Sequence, residues 1–216
     1  MKGPSATAHD PLADHIGIFV LNTSQISLDQ TDGGRKVRHI MSEIATSIFI
    51  AAKPDRIWKQ LIGFNRFAEW NPFILSIDGQ RGLGEKVLLK LRLATADGRM
   101  ADRDISARII KWEDEHEIRW GHGSWIPGWM DFEHWVRIAP CKGGANVHHC
   151  MRVSGLLAGL LRPDYFTMFE SGFAAMNAAL KDVVETQEAA RPPAAVFAND
   201  NTGAPPRAPD DRRRAG

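Results

Sequence analysis

The sequence predicts an α+β fold in which a curved antiparallel sheet wraps one long C-terminal helix. Three observations carry this prediction. Segments with two-residue apolar alternation follow one another between residues 43 and 155, glycine-rich breaks separate them, and one long stretch with apolar residues every three to four positions comes last. A length of 216 residues suits one domain with extensions.

Residues 1–40 mix Pro4, Pro11, Gly33 and Gly34 without a sustained period and read as a loosely ordered extension. Glu43 to Ile50 then places Ile44, Ile48 and Ile50 on one face of a strand. Pro54 opens a helix, because its fixed φ suits a first turn, and Ile57, Trp58, Leu61 and Ile62 follow at helical spacing. A second short helix around Asn65 to Trp70 stops at Asn71-Pro72, since the residue before a proline avoids the helical region. Phe73 to Ile77 reads as a strand, and Gly79, Gly82 and Gly84 as turn residues.

Val87, Leu89, Leu91 and Leu93 alternate with Lys86, Lys90 and Arg92, giving the next strand one dry and one wet face. Its partner runs from Met100 to Lys111. A three-residue loop, Asp97 to Arg99, pairs Leu91 with Ile105, Leu89 with Ala107 and Val87 with Ile109, and sets Arg92 opposite Asp104. A two-residue turn would bring unlike faces together. His116 to His122 forms another strand. Met130 to Ala139 pairs with Ala145 to Gly155 about a Gly143-Gly144 turn, so that Ile138 faces His149, Val136 faces Met151 and His134 faces Val153 on one mostly apolar side. The last element starts at Pro163 and ends near Ala190, with Phe166, Phe169, Phe173, Met176 and Leu180 on one helical face. Beyond it, residues 191–216 hold five of the twelve prolines and end in Arg212, Arg213 and Arg214, the composition of a disordered tail. The domain itself is expected over residues 41–190, with a lined hollow between its bent sheet and its helix.

Twenty-seven basic and 26 acidic side chains leave a net charge of +1, which gives no electrostatic reason to expect nucleic acid. No apolar run reaches the roughly 18 residues needed to cross a bilayer, and Asp10 and Asp14 ahead of Ile16 to Leu21 argue against a secretory signal. Cys141 and Cys150 fall out of alignment in the expected hairpin, so both are read as reduced thiols of a cytoplasmic protein. No cofactor is expected, because no His-Glu-x-x-His, Cys-x-x-Cys pair, Gly-x-Ser-x-Gly elbow or phosphate loop occurs. Nor is a metal, since His148 and His149 are adjacent on a strand and face opposite sides. The acidic group Asp114, Glu115 and Glu117 with His116 reads as a solvated hairpin turn. The oligomeric state is not fixed by the sequence.

Several short motifs recur in a fixed order: Pro54-x-x-Ile57-Trp58, Trp70-Asn71-Pro72-Phe73-Ile74, Pro127-Gly128 with Glu133-His134, Ser154-Gly155-Leu156-Leu157, and Gly172-Phe173-x-x-Met176-Asn177-x-x-Leu180-Lys181. Together they resemble the START-like or Bet v 1-like (SRPBCC) superfamily, in its bacterial polyketide cyclase/dehydrase-like branch. The resemblance implies a helix-grip fold with an internal cavity for lipids, polyketides or similar compounds, and it implies no single reaction. Met151 stands where such relatives often carry an inward glutamate, which counts against carboxylate chemistry there.

His134 and His149 fall on the expected inner face. Each can hydrogen-bond a ligand, and a neutral imidazole can act as a general base near pH 7, or each can be a histidine satisfied within the core. Trp120, Trp125 and Trp129 surround Pro127-Gly128 and form either an aromatic rim over an apolar guest or ordinary core cover. Asn177, polar on the apolar side of the helix, contacts either the ligand or a strand carbonyl. With Leu91, Met151 and Phe173, these residues make the expected binding site. The expected function is binding or carriage of a small hydrophobic molecule. The alternative is a polyketide-type cyclase or dehydratase with His134 as base and His149 or Asn177 steadying an enolate oxygen.

Overall fold

The computed structural model describes residues 28–191 except 33, 34, 96, 124, 125, 127 and 162, with side chains from residue 41 onward apart from 163 and 164. Eight strands are described: β1 (Leu28–Asp32), β2 (Arg35–Ile50), β3 (Ile74–Gly79), β4 (Lys86–Ala94), β5 (Met100–Glu113), β6 (Glu117–Gly123), β7 (Asp131–Cys141) and β8 (Gly144–Gly155). They form one antiparallel sheet in the order β1-β2-β8-β7-β6-β5-β4-β3, so the first long strand lies beside the last. Two short helices, α1 (Pro54–Leu61) and α2 (Phe67–Trp70), fill the crossing from β2 to β3, and α3 (Pro163–Ala189) packs on the concave face. This is the helix-grip arrangement.

Alternation decides which face is concave. Leu89, Leu91, Ile109, Trp120, Val136 and Met151 point inward and are buried against Phe169, Phe173, Met176 and Leu180 of α3. Each such side chain contributes about 1.5–3 kcal/mol of apolar burial. Pro54 occupies the first turn of α1, and Ile57, Trp58 and Leu61 are its buried stripe. Asn71 has a structural role, because its side-chain oxygen accepts the backbone N–H groups of Phe73 and Ile74, each at 2.9 Å. That bond pair fixes the entry into β3 and sets Phe73 beneath α3.

The structure corrects four sequence expectations. Residues 28–32 and 35–40, expected within a loose extension, lie in β1 and the start of β2, paired from Leu28 with His39 to Asp32 with Arg35. Main-chain pairing needs no apolar period, so the charged run from Arg35 to His39 concealed it. Residues 192–216 lie outside the described part.

Both hairpin registers are shifted by two residues. Leu91 faces Arg103, Leu89 faces Ile105 and Arg92 pairs with Asp102, because the connection runs from Thr95 to Arg99. The Thr95 backbone N–H and hydroxyl both bond the Arg99 carbonyl, at 2.6 and 2.8 Å, closing a longer loop than the Asp-Gly pair alone predicts. In the other hairpin, Lys142-Gly143 is the turn; His134 faces Met151, Val136 faces His149 and Ile138 faces Val147. Gly144 belongs to the strand rather than the turn. A Cβ there would lie 2.1 Å from the Ile50 carbonyl oxygen of β2, so glycine is required by close approach. A slip of two keeps every side chain on its face, and the inward assignments therefore stand.

Finally, Glu117 is not part of a solvated turn. It is fully buried on the convex side, ion-paired with Arg119 and Arg137 at 2.8 Å and Lys111 at 3.2 Å. Cys141 and Cys150 are unpaired, opposite Gly144 and Trp135 respectively. Burial pushes the Cys150 thiol up to about 12, which makes it inert.

Candidate functional site

A cavity of about 220 Å³ lies between the inner faces of β4 to β8 and the first half of α3. Leu89, Leu91, Ile105 and Ala107 form one wall; Trp120, Phe132, His134 and Met151 the opposite one; Phe73, Tyr165 and Phe169 close the helix side. His122 also lines it and is exposed to solvent, which marks the mouth. Four of the expected site residues, Leu91, Trp120, His134 and Met151, therefore meet around one void.

The others are placed differently. Phe173, His149 and Asn177 are buried behind the cavity wall rather than in it. Trp129 is 46% exposed and does not line the cavity; its carbonyl accepts the Leu157 N–H at 2.9 Å, tying the loop to the end of β8. Trp125 lies outside the described residues. Phe73, Leu89, Ile105, Ala107, His122, Phe132, Tyr165 and Phe169 are lining residues absent from the sequence-derived set. A signal for most of them existed. His122 and Phe132 lie two residues from Trp120 and His134 on the same faces, and Tyr165, Phe169 and Phe173 recur at helical spacing of four.

His134 and His149 are diagonal neighbours across the β7–β8 ladder. Their rings lie 4.7 Å apart with Nε2 against Nε2, and Phe173 stacks on both, 5.0 Å from His134 and 3.9 Å from His149. Trp120 stacks on His134 at 5.1 Å. Behind them a polar chain continues. His149 Nδ1 lies 3.3 Å from Asn177 Oδ1, Asn177 Nδ2 donates to Thr46 Oγ1 at 2.9 Å, and Thr46 Oγ1 donates to the His149 backbone carbonyl at 3.3 Å.

Burial without a charged partner disfavours imidazolium here. It pushes His134 down to about 3 and His149 well below its ordinary value, the latter further opposed by its histidine neighbour and only partly offset by Asn177. Both rings are neutral at pH 7. His134 retains some accessible surface although side chains crowd it on every side. That surface faces the cavity that His134 lines, and the side chains packed around the ring lower its affinity for a proton. Tyr165, also desolvated, holds its proton up to about 12. Among the described residues no group of three or more His, Cys, Asp or Glu side chains is placed to hold a metal. No described helix is long and apolar enough to cross a membrane.

Fold and cavity define a helix-grip domain with a largely apolar chamber that opens at one mouth. The chain belongs to the family described as polyketide cyclase / dehydrase and lipid transport, whose profile matches residues 41–185. Solved structures agree at the level of fold. The Zhui aromatase/cyclase from Streptomyces sp. R1128 is 16% identical, with 68% of this chain and 96% of that one covered at a TM-score of 0.51. Protein NE0264 from Nitrosomonas europaea is 13% identical, with 68% and 96% covered at 0.52. Norcoclaurine synthase from Thalictrum flavum is 14% identical, with 71% and 99% covered at 0.50. No curated protein is a significant match.

Proposed function

We propose that residues 41–190 bind and carry a small, largely apolar molecule in the chamber between sheet and helix. The observation that carries this reading is the 220 Å³ cavity, walled by aliphatic and aromatic side chains with few polar groups at its surface. It is smaller than the roughly 300–1,000 Å³ of drug-sized ligand sites. It exceeds the roughly 150 Å³ that holds one benzene ring. A guest of one or two rings, or a short acyl chain, fits that space. Long lipids and four-ring polyketides do not fit without rearrangement of the walls.

The cyclase reading, with His134 as general base, meets an energetic obstacle. A base held at about 3 lies four units below pH 7, so its protonation there costs roughly 5 kcal/mol before any bond is broken. Binding makes no such demand. Native mass spectrometry of freshly purified protein, with calorimetric titration of 1-naphthol, tests the reading. One molecule should bind per chain, and Ala107→Leu, which fills the cavity from β5, should abolish binding while the protein still melts cooperatively. Unchanged binding in that variant would place the ligand elsewhere.

A further inference from the structure

The polar chain behind the cavity has a direction, and that direction selects the ligand. A backbone carbonyl can only accept, so the His149 carbonyl takes the single Thr46 hydroxyl proton. With its proton committed, Thr46 Oγ1 must accept from Asn177, which turns the amide NH₂ toward Thr46 and the amide oxygen toward His149. His149 therefore carries its proton on Nδ1, and its Nε2 is a bare lone pair. His134 Nε2, in contact with that lone pair, must hold a proton and donate it. Since both rings are neutral, His134 Nδ1 is left unprotonated, and it has no protein partner among the described residues. Four groups thus act as a relay that fixes one tautomer at the cavity wall.

We infer that the chamber is built for a neutral one- or two-ring compound that presents a hydroxyl or N–H donor to His134 Nδ1, in preference to one offering only a carbonyl there. The inference rests on the binding reading above and makes it more specific. Tyr165 supplies the complementary group. Its hydroxyl has no protein partner among the described residues, and desolvation keeps it protonated, so it can donate to an acceptor elsewhere on the guest. His122 does not disturb this pattern. Its Nδ1 is committed to the Ser106 carbonyl at 2.7 Å, at the mouth rather than beside His134. Apart from these three residues, the described lining residues offer no side-chain hydrogen-bonding group except the Trp120 indole, whose N–H is buried without a partner. A purely acceptor-bearing guest would leave the His134 lone pair buried and unpaired, whereas a phenol satisfies it.

Two measurements test this. Nitrogen-15 correlation spectra of the ligand-free protein at pH 7 read the tautomer directly; the Nε2–H form of His134 is expected, and the Nδ1–H form would overturn the inference. Calorimetry then compares 1-naphthol with 1-tetralone, bicyclic frames of the same ten carbons carrying a hydroxyl or a carbonyl. Naphthol should bind about tenfold tighter or better. In Thr46→Val the chain loses its anchored end, the amide is free to reverse, and the preference should fall toward unity. Equal affinities in the wild type would refute the donor preference while leaving the cavity reading standing. Failure of both compounds to bind would instead remove the cavity reading, and the spectra would still decide the direction of the chain.

Discussion

On the convex face of β7 and β8, Glu133, Arg137 and Arg152 join Glu43, Glu117 and Arg119 in four ion pairs, each with a closest approach of 2.8 Å. Arg119 and Arg152 also lie over the Trp135 ring, at 4.4 and 5.3 Å from its centre. On the concave face of the same two strands, His134 and His149 carry no charge and find each other instead. Strand alternation separates the two systems by the thickness of one sheet. Apart from Glu117, which is fully buried and faces three cations, the outer groups keep contact with water, and each charge is compensated by an opposite one. The inner groups are desolvated by the side chains around them and have no counter-ion among the described residues, and neutrality is the state that burial favours. The same hairpin therefore carries charged groups outside and an uncharged polar chain inside.

Glu117→Gln should give the largest effect, because Glu117 alone is fully buried within the outer lattice and faces three cations. Removing one partner of a buried pair leaves uncompensated charge at a cost of about 3–5 kcal/mol. Here the cations reach solvent, so a loss of about 2–4 kcal/mol in urea unfolding is expected. A change below about 0.5 kcal/mol would mean that the lattice behaves as an ordinary exposed network.

Acid should distinguish the two faces. Burial alone would raise the Glu117 carboxyl, but hydrogen bonds from Arg119, Arg137 and Lys111 outweigh it and hold the group below its usual range. Its stabilisation is present above the ordinary value of 4.5 and is lost only as pH falls through the lower folded value. The inner histidines respond earlier. An unfolded imidazole takes up a proton below about 6.5, whereas folded His134 stays neutral down to about 3, so stability declines progressively across that interval. By pH 5 His134 alone contributes a loss of about 2 kcal/mol. His149 and His148 shift in the same direction, chiefly through burial. Urea titrations at pH 7 and pH 5 should show this loss in the wild type and in Glu117→Gln, and a loss smaller by about 2 kcal/mol in His134→Gln. An equal pH response in wild type and His134→Gln would contradict the neutral inner face.

The inner and outer faces were not equally legible in the sequence. Alternation placed Leu91, His134 and Met151 on the inner side, and this survived two register errors because a slip of two residues preserves the face; Trp120, expected in an aromatic rim, lies on that same inner face. The errors arose where the deciding contact was tertiary or carried by a loop side chain. Gly144 looks like a turn glycine until the Ile50 carbonyl is seen against it, and nothing in Thr95 announces that its hydroxyl closes a longer loop. The pairing of β2 with β8 joins residues from Ile50 with Ala145 to Ile40 with Gly155, far apart in the chain, and no local period reports it. That pairing brings Thr46 beside His149, so the anchor of the relay was invisible. Glu117 was misread for a related reason. Its sequence neighbours Asp114 and Glu115 are acidic, but its spatial neighbours come from three strands and are cationic.

The smallest expected effect concerns how closely α3 covers the concave face. In a helix interior, glycine is about 1 kcal/mol less favourable than alanine, so propensity alone predicts that Gly172→Ala stabilises. Space argues otherwise. A Cβ at Gly172 would lie 2.3 and 2.5 Å from Phe73 Cδ2 and Cε2. Phe73 cannot simply turn away, since it is 2% exposed, its backbone N–H is held by Asn71, and its ring packs edge-on against Phe169 and Phe173. The open direction is the cavity that Phe73 lines. Overpacking of this kind costs about 1–3 kcal/mol, which exceeds the propensity gain and leaves a net destabilisation of about 1 kcal/mol. Ala175→Gly, on the exposed side of the same helix, should cost a similar amount for the opposite reason, by propensity alone. Affinity separates the two variants. Gly172→Ala should weaken 1-naphthol binding by displacing Phe73 into the chamber, whereas Ala175→Gly should leave it unchanged. A Gly172→Ala protein that melts higher and binds as before would show that helix and sheet have room to part, and the cavity volume would then be set by something other than this contact.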